Sequence, residues 1–315
     1  VYLDSGATSQ KPLSVIEAES NFYKFTNAAV HRGAHQLAEE ATDAYEGARL
    51  KVANFLGAKE EEIVFTKNAT ESLNLVAYAM GNAQPGSRFA LTSKDQIVVT
   101  EMEHHANLIP WQQLAARTGA ELKWFEVTPE GRLDLSAINS IITENTKVVA
   151  LTHQSNVLGT INPLEAITAR AHEVGAVVVL DACQSVPHMP IDVKKLNVDF
   201  LAFSGHKALG PTGVGVLWSS VFEELPPFLF GGSMIETVTM TSATWAPAPR
   251  KFEAGVPNMA QAVGLGAALD YLTEVGMQSI FDHEVELTGY LVNGLLQIPE
   301  LSIVGPQNTD ARGGS

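Results

Sequence analysis

The chain has one cysteine, Cys183, in 315 residues. That excludes a disulfide framework and fits a reducing compartment, so the cytoplasm is the expected location. Charged residues are sparse at 17%, and basic ones sparser, with 20 Lys and Arg against 35 Asp and Glu and a formal net charge of -15. Such a surface repels nucleic acid and anionic membranes, and no basic cluster reverses this, so neither is an expected partner. No apolar run is long enough to span a bilayer. No glycine-rich fingerprint follows the first apolar segment, Leu3-Asp4-Ser5-Gly6-Ala7, which argues against a dinucleotide-binding domain. Repeats, linkers and low-complexity stretches are missing too. No signal peptide is seen; the chain opens at Val1 in what reads as a short strand running, by Thr8, into a small-residue turn where the backbone can approach a ligand or another chain closely, and the native start is expected upstream.

What is present is apolar. At 45% hydrophobic residues the chain can bury a large core, in one large domain or a large and a small one. Short apolar runs alternate with helical patterns. Strands are expected at 63–65, 97–100, 122–127, 147–152, 176–180, 198–203 and 214–218. Helices are expected from Pro12, then at 37–56, 72–80, up to Arg117, 135–142, 164–174, 258–274 and 279–296. Repeated βα units with near-continuous apolar strands predict a mainly parallel sheet with helices on both faces. The stretch 226–257, rich in Gly, Pro and Thr, reads as irregular.

Polar clusters fall just past the predicted strand ends: His104, Asn156, Asp181 and Lys207. In an open parallel sheet those ends share one edge, where ligands bind. Lys207, in Ser204-Gly205-His206-Lys207, is placed to act as a buried amine that forms an imine with an aldehyde cofactor. Asp181 could pair with a pyridine nitrogen and keep it protonated, at about 1.5–3 kcal/mol for such a charge-assisted hydrogen bond. His104 could stack on a ring or carry a proton. The turn 66–71 before the third helix is either a phosphate cradle or a cap in which Thr70 serves its own helix. His31 and His35 have the spacing for a metal clamp, but Gly33 interrupts the helix and no further ligand completes a site, so no metal is expected.

Six motifs together resemble a cysteine desulfurase of the SUF type, the second group of that family, within the fold-type-I pyridoxal 5'-phosphate (PLP) enzymes of the class V aminotransferase superfamily. They are His31-Arg32-Gly33-Ala34-His35, Glu103-His104-His105-Ala106-Asn107, Thr152-His153-Gln154-Ser155-Asn156, Asp181 with Gln184, Ser204-Gly205-His206-Lys207 and Phe252-Glu253-Ala254-Gly255. The resemblance implies an α/β fold of the PLP-transferase type. Residues 1–275 would form the large PLP-binding domain, to about those limits and with the first residues able to contribute to the small domain. Residues 276–315 would begin a smaller C-terminal α/β domain that is truncated here. Lys207 resembles the Schiff-base lysine, Asp181 the pyridinium partner and Gln184 the donor to the ring hydroxyl. His104 resembles the stacking and proton-carrying histidine, and Asn156 the residue near the ring hydroxyl and substrate carboxylate. Ala69, Thr70, Ser204 and His206 match the phosphate site. Gly255 matches a segment that reaches the neighbouring subunit's phosphate in a homodimer.

The activity implied is conversion of L-cysteine to alanine and an enzyme persulfide, with L-selenocysteine as a second candidate substrate. The sulfur would pass to an acceptor protein of the SUF system for iron–sulfur cluster assembly. Two departures stand out. Val256 replaces a threonine whose hydroxyl would follow Gly255. The family's nucleophilic cysteine and carboxylate-binding arginine, which lie further on in the family, are not among these residues, and Cys183 does not align with that cysteine. Cys183 is expected instead to be a packing residue: if the chain stays extended past Asp181, Ala182 and Cys183 cannot both face the cofactor with Asp181 and Gln184. Other PLP enzymes of this fold (a kynureninase-like lyase, an aminotransferase or an epimerase) and a truncated, non-catalytic PLP-binding subunit remain as alternatives.

Overall fold

The computed structural model describes residues 1–314; Ser315, with which the expected small-domain segment closes, lies outside them. A seven-stranded sheet forms the centre. Its strands are β1 (Ile63–Thr66), β2 (Gln96–Thr100), β3 (Glu121–Phe125), β4 (Thr146–Thr152), β5 (Val177–Asp181), β6 (Phe200–Ser204) and β7 (Gly215–Ser219). They lie in the order β1-β7-β6-β5-β4-β2-β3. Only β7 runs antiparallel to its neighbours, β6 and β1, so the other six strands all point the same way. Their carboxyl ends therefore share one edge.

Every residue of β5 and β6 is buried, which accounts for apolar runs without alternation. Side chains still alternate between the faces. Val178, Leu180, Leu201 and Phe203 join one apolar cluster, with residues of helices α2 (Gln36–Leu56) and α8 (Met259–Val275). Val177, Val179, Phe200 and Ala202 join the other, with α3 (Ala69–Gly81) and α4 (Ile109–Thr118). Helix α8 packs against α2 and α1 (Leu13–Asn21), and α9 (Met277–Leu295) follows it. No helix among the described residues is long and apolar enough to cross a membrane.

Several expectations are corrected. The short strand expected before the turn in residues 1–8 does not form, since both sheet edges are held by β1 and β3, whereas the small-residue turn is there at Ser5–Ala7, with Asp4 O accepting from Ala7 N–H (3.1 Å). The helix expected at 135–142 shrinks to α5 (Ile138–Ile141), because the chain before it pairs back on β3's exit, with Asp134 N–H donating to Glu126 O (2.9 Å). Within the stretch read as irregular lies a small hairpin, β8 (Ile235–Val238) with β9 (Ala243–Trp245), tied by Thr237 and Thr244 hydroxyls 2.7 Å apart. Helix α3 begins at Ala69, not at 72, because Asn68 Oδ1 caps it by accepting from Glu71 N–H (3.0 Å).

Candidate active site

One cavity of about 960 Å³ opens at the shared strand edge. The exits of β1, β2, β4, β5 and β6 supply Thr70, His104, Asn156, Asp181 and Lys207 to its wall, and Ala69, Gln184, Ser204 and His206 line it as well. Nine of the ten expected cofactor-site residues thus meet in one place. Gly255 does not. It lies in a separate pocket of about 220 Å³ with His31, Arg32, Ser233, Arg250 and Val256.

The register explains the floor of the cavity. Asp181 pairs with Ala202 across β5 and β6, and Ser204 pairs with Gly215 across β6 and β7. Gly215 is obligatory there, because a Cβ would lie 2.5 Å from the backbone of Asn68. That close approach carries the first turn of α3 to Ser204, whose Oγ accepts from Ala69 N–H (2.9 Å). The Ser204 hydroxyl keeps its own hydrogen to give. Thr70 stands beside it in the helix's first turn, where the helical ladder offers an N–H no acceptor. His206 completes the group. Its carbonyl accepts from Ser9 N–H (3.1 Å), Ser9 Oγ (2.9 Å), Lys11 Nζ (2.9 Å) and the Thr8 hydroxyl (3.2 Å), and that hydroxyl also lies 3.1 Å from His206 Nδ1. A neutral imidazole keeps one ring N–H to donate. Burial, then Lys207 and Lys11, push the His206 pKa down, so the ring is a neutral donor. Hydroxyl, N–H and imidazole donors around a helix start suit a phosphate.

Asp181 is buried and accepts from Cys183 N–H at Oδ1 (3.0 Å). A buried carboxylate with room for more donors suits a protonated ring nitrogen. Lys207 sits on a 3₁₀ turn, Gly205–Lys207, that leaves β6. Gln184 donates from Nε2 to Gly6 O (2.9 Å), which ties the N-terminal segment over the site. His104 is exposed to the cavity, and its Nδ1 accepts from Ala106 N–H (3.1 Å). Its ring is thus fixed in rotation by its own turn. These donors, the carboxylate and the amine fit PLP.

The extended-chain argument for Cys183 is corrected. The chain turns immediately after Ala182, and Cys183 lines the cavity with Asp181 and Gln184, while Ala182 is fully buried behind them. Cys183 Sγ lies 3.9 Å from Ser204 Oγ. Burial, followed by the Asp181 charge, pushes its thiol pKa well up. His31 and His35 have separate tasks: His31 Nε2 meets Glu46 Oε1 at 2.9 Å, and His35 Nδ1 accepts from Ala38 N–H (3.3 Å) at the start of α2.

Tyr2 to Ala7 line the cavity, with the small-residue turn expected to approach a ligand. Sequence reading missed other parts of the wall: His188 and, from α9, Glu284, Leu287, Thr288 and Leu291. His188 Nδ1 lies 2.7 Å from Glu284 Oε1. The spacing of 284, 288 and 291 marks one helical face, but nothing in that spacing says what the face meets. The charged cluster beneath Gly255 also escaped notice. Arg49 NH1 and NH2 donate to Glu253 (2.7 and 2.9 Å), which also accepts from Phe65 N–H (2.7 Å) and Tyr45 OH (3.1 Å).

The family model for class V aminotransferases matches residues 1–315. A probable cysteine desulfurase of Streptomyces coelicolor is 59% identical over 99% of this chain and 75% of its own length. A cysteine desulfurase of Haloferax volcanii is 47% identical over all of this chain and 73% of its own. Among solved structures, the apo cysteine desulfurase from Thermococcus onnurineus superposes with a TM-score of 0.93 at 42% identity, over all of this chain and 77% of that one. The cysteine desulfurase CsdA from Escherichia coli superposes with a TM-score of 0.85 at 38% identity, over 98% of this chain and 77% of that one. By family match, by relatives and by fold, the chain belongs to the class V aminotransferases, among relatives named as cysteine desulfurases.

Proposed function

We propose that the chain is a PLP-dependent cysteine desulfurase, taking L-cysteine to alanine and protein-bound persulfide sulfur. The observation that carries this reading is the meeting of Lys207, Asp181 and the donor cluster of Thr70, Ser204 and His206, with Ala69 holding Ser204 Oγ beside them, in one cavity. Bound there, PLP would supply an electron-withdrawing ring that takes up the electron pair left by the substrate's α proton. Asp181 would hold a proton at the ring nitrogen. The donor cluster would hold the phosphate, and His104 would stand against the ring. Gln184 and Asn156 would serve the ring hydroxyl, and Asn156 the substrate carboxylate as well. Lys207 would bind the cofactor's aldehyde, and its amine is the base for the substrate's α proton.

The sulfur acceptor is not Cys183. A thiolate is the reactive form, and burial beside Asp181 works against it here. The acceptor thiol is one that these 315 residues do not hold. The motif resemblance extends the reading to a homodimer in which Gly255 serves the partner's phosphate site. It also extends it to SUF-type iron–sulfur assembly in the cytoplasm, to use of selenocysteine as well, and to a domain boundary near residue 275.

Borohydride reduction of the PLP-loaded chain followed by peptide mapping tests the assignment. The label is expected on Lys207 alone, and Lys207→Ala should lose the imine absorbance. Label on another lysine would refute it. L-Cysteine should perturb that absorbance without leaving a persulfide on Cys183, whereas turnover of L-kynurenine would favour a lyase instead. A persulfide on Cys183, with turnover lost in Cys183→Ser, would overturn the exclusion of that thiol.

A further inference from the structure

Glu103 does not line the cavity, yet it is buried directly beside it. Its carboxylate accepts three hydrogen bonds: Thr100 Oγ1 (2.6 Å) and Thr152 N–H (2.9 Å) at Oε1, and Asn107 Nδ2 (2.7 Å) at Oε2. The direction of the last bond is fixed from outside. Trp111 Nε1–H, which can only donate, gives to Asn107 Oδ1 (3.0 Å), so the Asn107 amide must turn its NH2 toward Glu103.

The three partners belong to three pieces of the site. Thr100 ends β2, Thr152 ends β4 four residues before Asn156, and Asn107 closes the turn that carries His104 by donating its N–H to His104 O (2.8 Å). The paired register of β2 with β4 runs only as far as Val98 with Val149. Beyond that point the strand ends have no ladder between them, and the Glu103 carboxylate spans the gap.

We infer that Glu103 is a positioning residue: it bridges the ends of β2 and β4 and so sets where His104 and Asn156 stand at the cavity. The inference rests on the reading of that cavity as the active site. Burial pushes the Glu103 carboxyl up to about 8, with the Asp181 charge adding to it, so this acid is held at a desolvation cost.

A polarity swap tests the bridge. In Glu103→Gln the amide oxygen still accepts from Thr100 and Thr152, but the amide NH2 faces that of Asn107, which Trp111 prevents from flipping. Adding Asn107→Asp restores all four bonds, because the carboxylate introduced there accepts from both the new amide and Trp111. Two readouts follow the cycle: the His104 ring resonances of the cofactor-free chain, and the exchange of the L-alanine α hydrogen in D2O by the PLP-loaded chain. Glu103→Gln is expected to move the resonances and slow exchange at least fivefold. Asn107→Asp alone, which sets two carboxylates face to face, should do the same. The double variant should return both readouts to within twofold of the parent.

Unmoved resonances and unchanged exchange in Glu103→Gln, with only a lower urea midpoint, would reduce Glu103 to a structural residue. A double variant as impaired as either single would also overturn the inference. Should Glu103→Gln not fold, Thr100→Val, which removes one donor of three, must move the same resonances or the idea falls. If the resonances obey the cycle but the loaded chain exchanges nothing, the bridge stands and the PLP reading fails.

Discussion

Glu253→Ala should cost the fold about 3–5 kcal/mol, the usual penalty for leaving a buried charge without its partner. The partner is Arg49, only 2% exposed. Burial alone would lower the guanidinium pKa, but the Glu253 carboxylate reverses this and raises it well above its ordinary value, so the charge is firmly held. Truncation removes two charge-assisted bonds and also strands Phe65 N–H, itself a loss of about 1–3 kcal/mol for an unmet buried donor. Arg49 keeps Glu46 Oε2 (2.7 Å) and Ile63 O (2.8 Å), which holds the total toward the lower end. Urea unfolding at constant m-value measures it. Glu253→Gln, which keeps an acceptor for Phe65, should lose less, and pairing it with Arg49→Met should recover part of the loss through a coupling of about 0.5–3 kcal/mol. A loss below about 1 kcal/mol for Glu253→Ala, as for an exposed ion pair, would refute the reasoning.

Asp181→Asn should weaken PLP binding and slow α-hydrogen exchange at least tenfold, measured by cofactor titration and NMR in D2O; parent-like exchange would make Asp181 merely structural. Val256→Thr should tighten PLP retention by about 1 kcal/mol at most, the worth of one neutral hydrogen bond. The side chain is 66% exposed, so the change costs little packing, and an unchanged dissociation constant would mean that backbone already fills the role. His153 is buried, its Nδ1 meets no partner among the described residues, and burial pushes its pKa from 6.5 down to about 4. The unfolded chain therefore takes up that proton first, and stability falls as pH drops from about 6.5 to about 4. His153→Phe should flatten this part of the profile of urea midpoint against pH; an identical slope in both proteins would count against it.

The sheet was legible because its central strands are buried on both faces, so runs such as Val177-Val178-Val179-Leu180 carry their meaning without tertiary context. The site was legible for a related reason. Parallel strands put their exits on one edge, and chemistry-bearing residues at those exits must converge. What stayed hidden depends on partners distant in sequence. The residues before the turn at Ser5–Ala7 read as a short strand by composition, but no sheet edge was left for them. Nothing in Phe252-Glu253-Ala254-Gly255 says that its carboxylate meets Arg49. Cys183 was misplaced for a local reason, since the argument assumed an extended chain where the backbone turns. Glu103 stood in plain view inside a quoted motif, but its task appears only once Thr152 and Trp111 are beside it.

The fastening of Ser9 and Lys11 to the carbonyl of His206 links residues almost two hundred positions apart in the chain. On the ribosome, Ser9 and Lys11 are made well before the turn that they fasten. At about 5–20 residues per second, that is a delay of roughly 10–40 s. Throughout it the polar opening segment has no docking place, and the apolar strands β1 to β5 form beside an incomplete sheet. Residue 206 also immediately precedes Lys207. The fastening therefore bears directly on the turn that carries the amine, and it can form only after β6, with β7, α8 and α9 still to come.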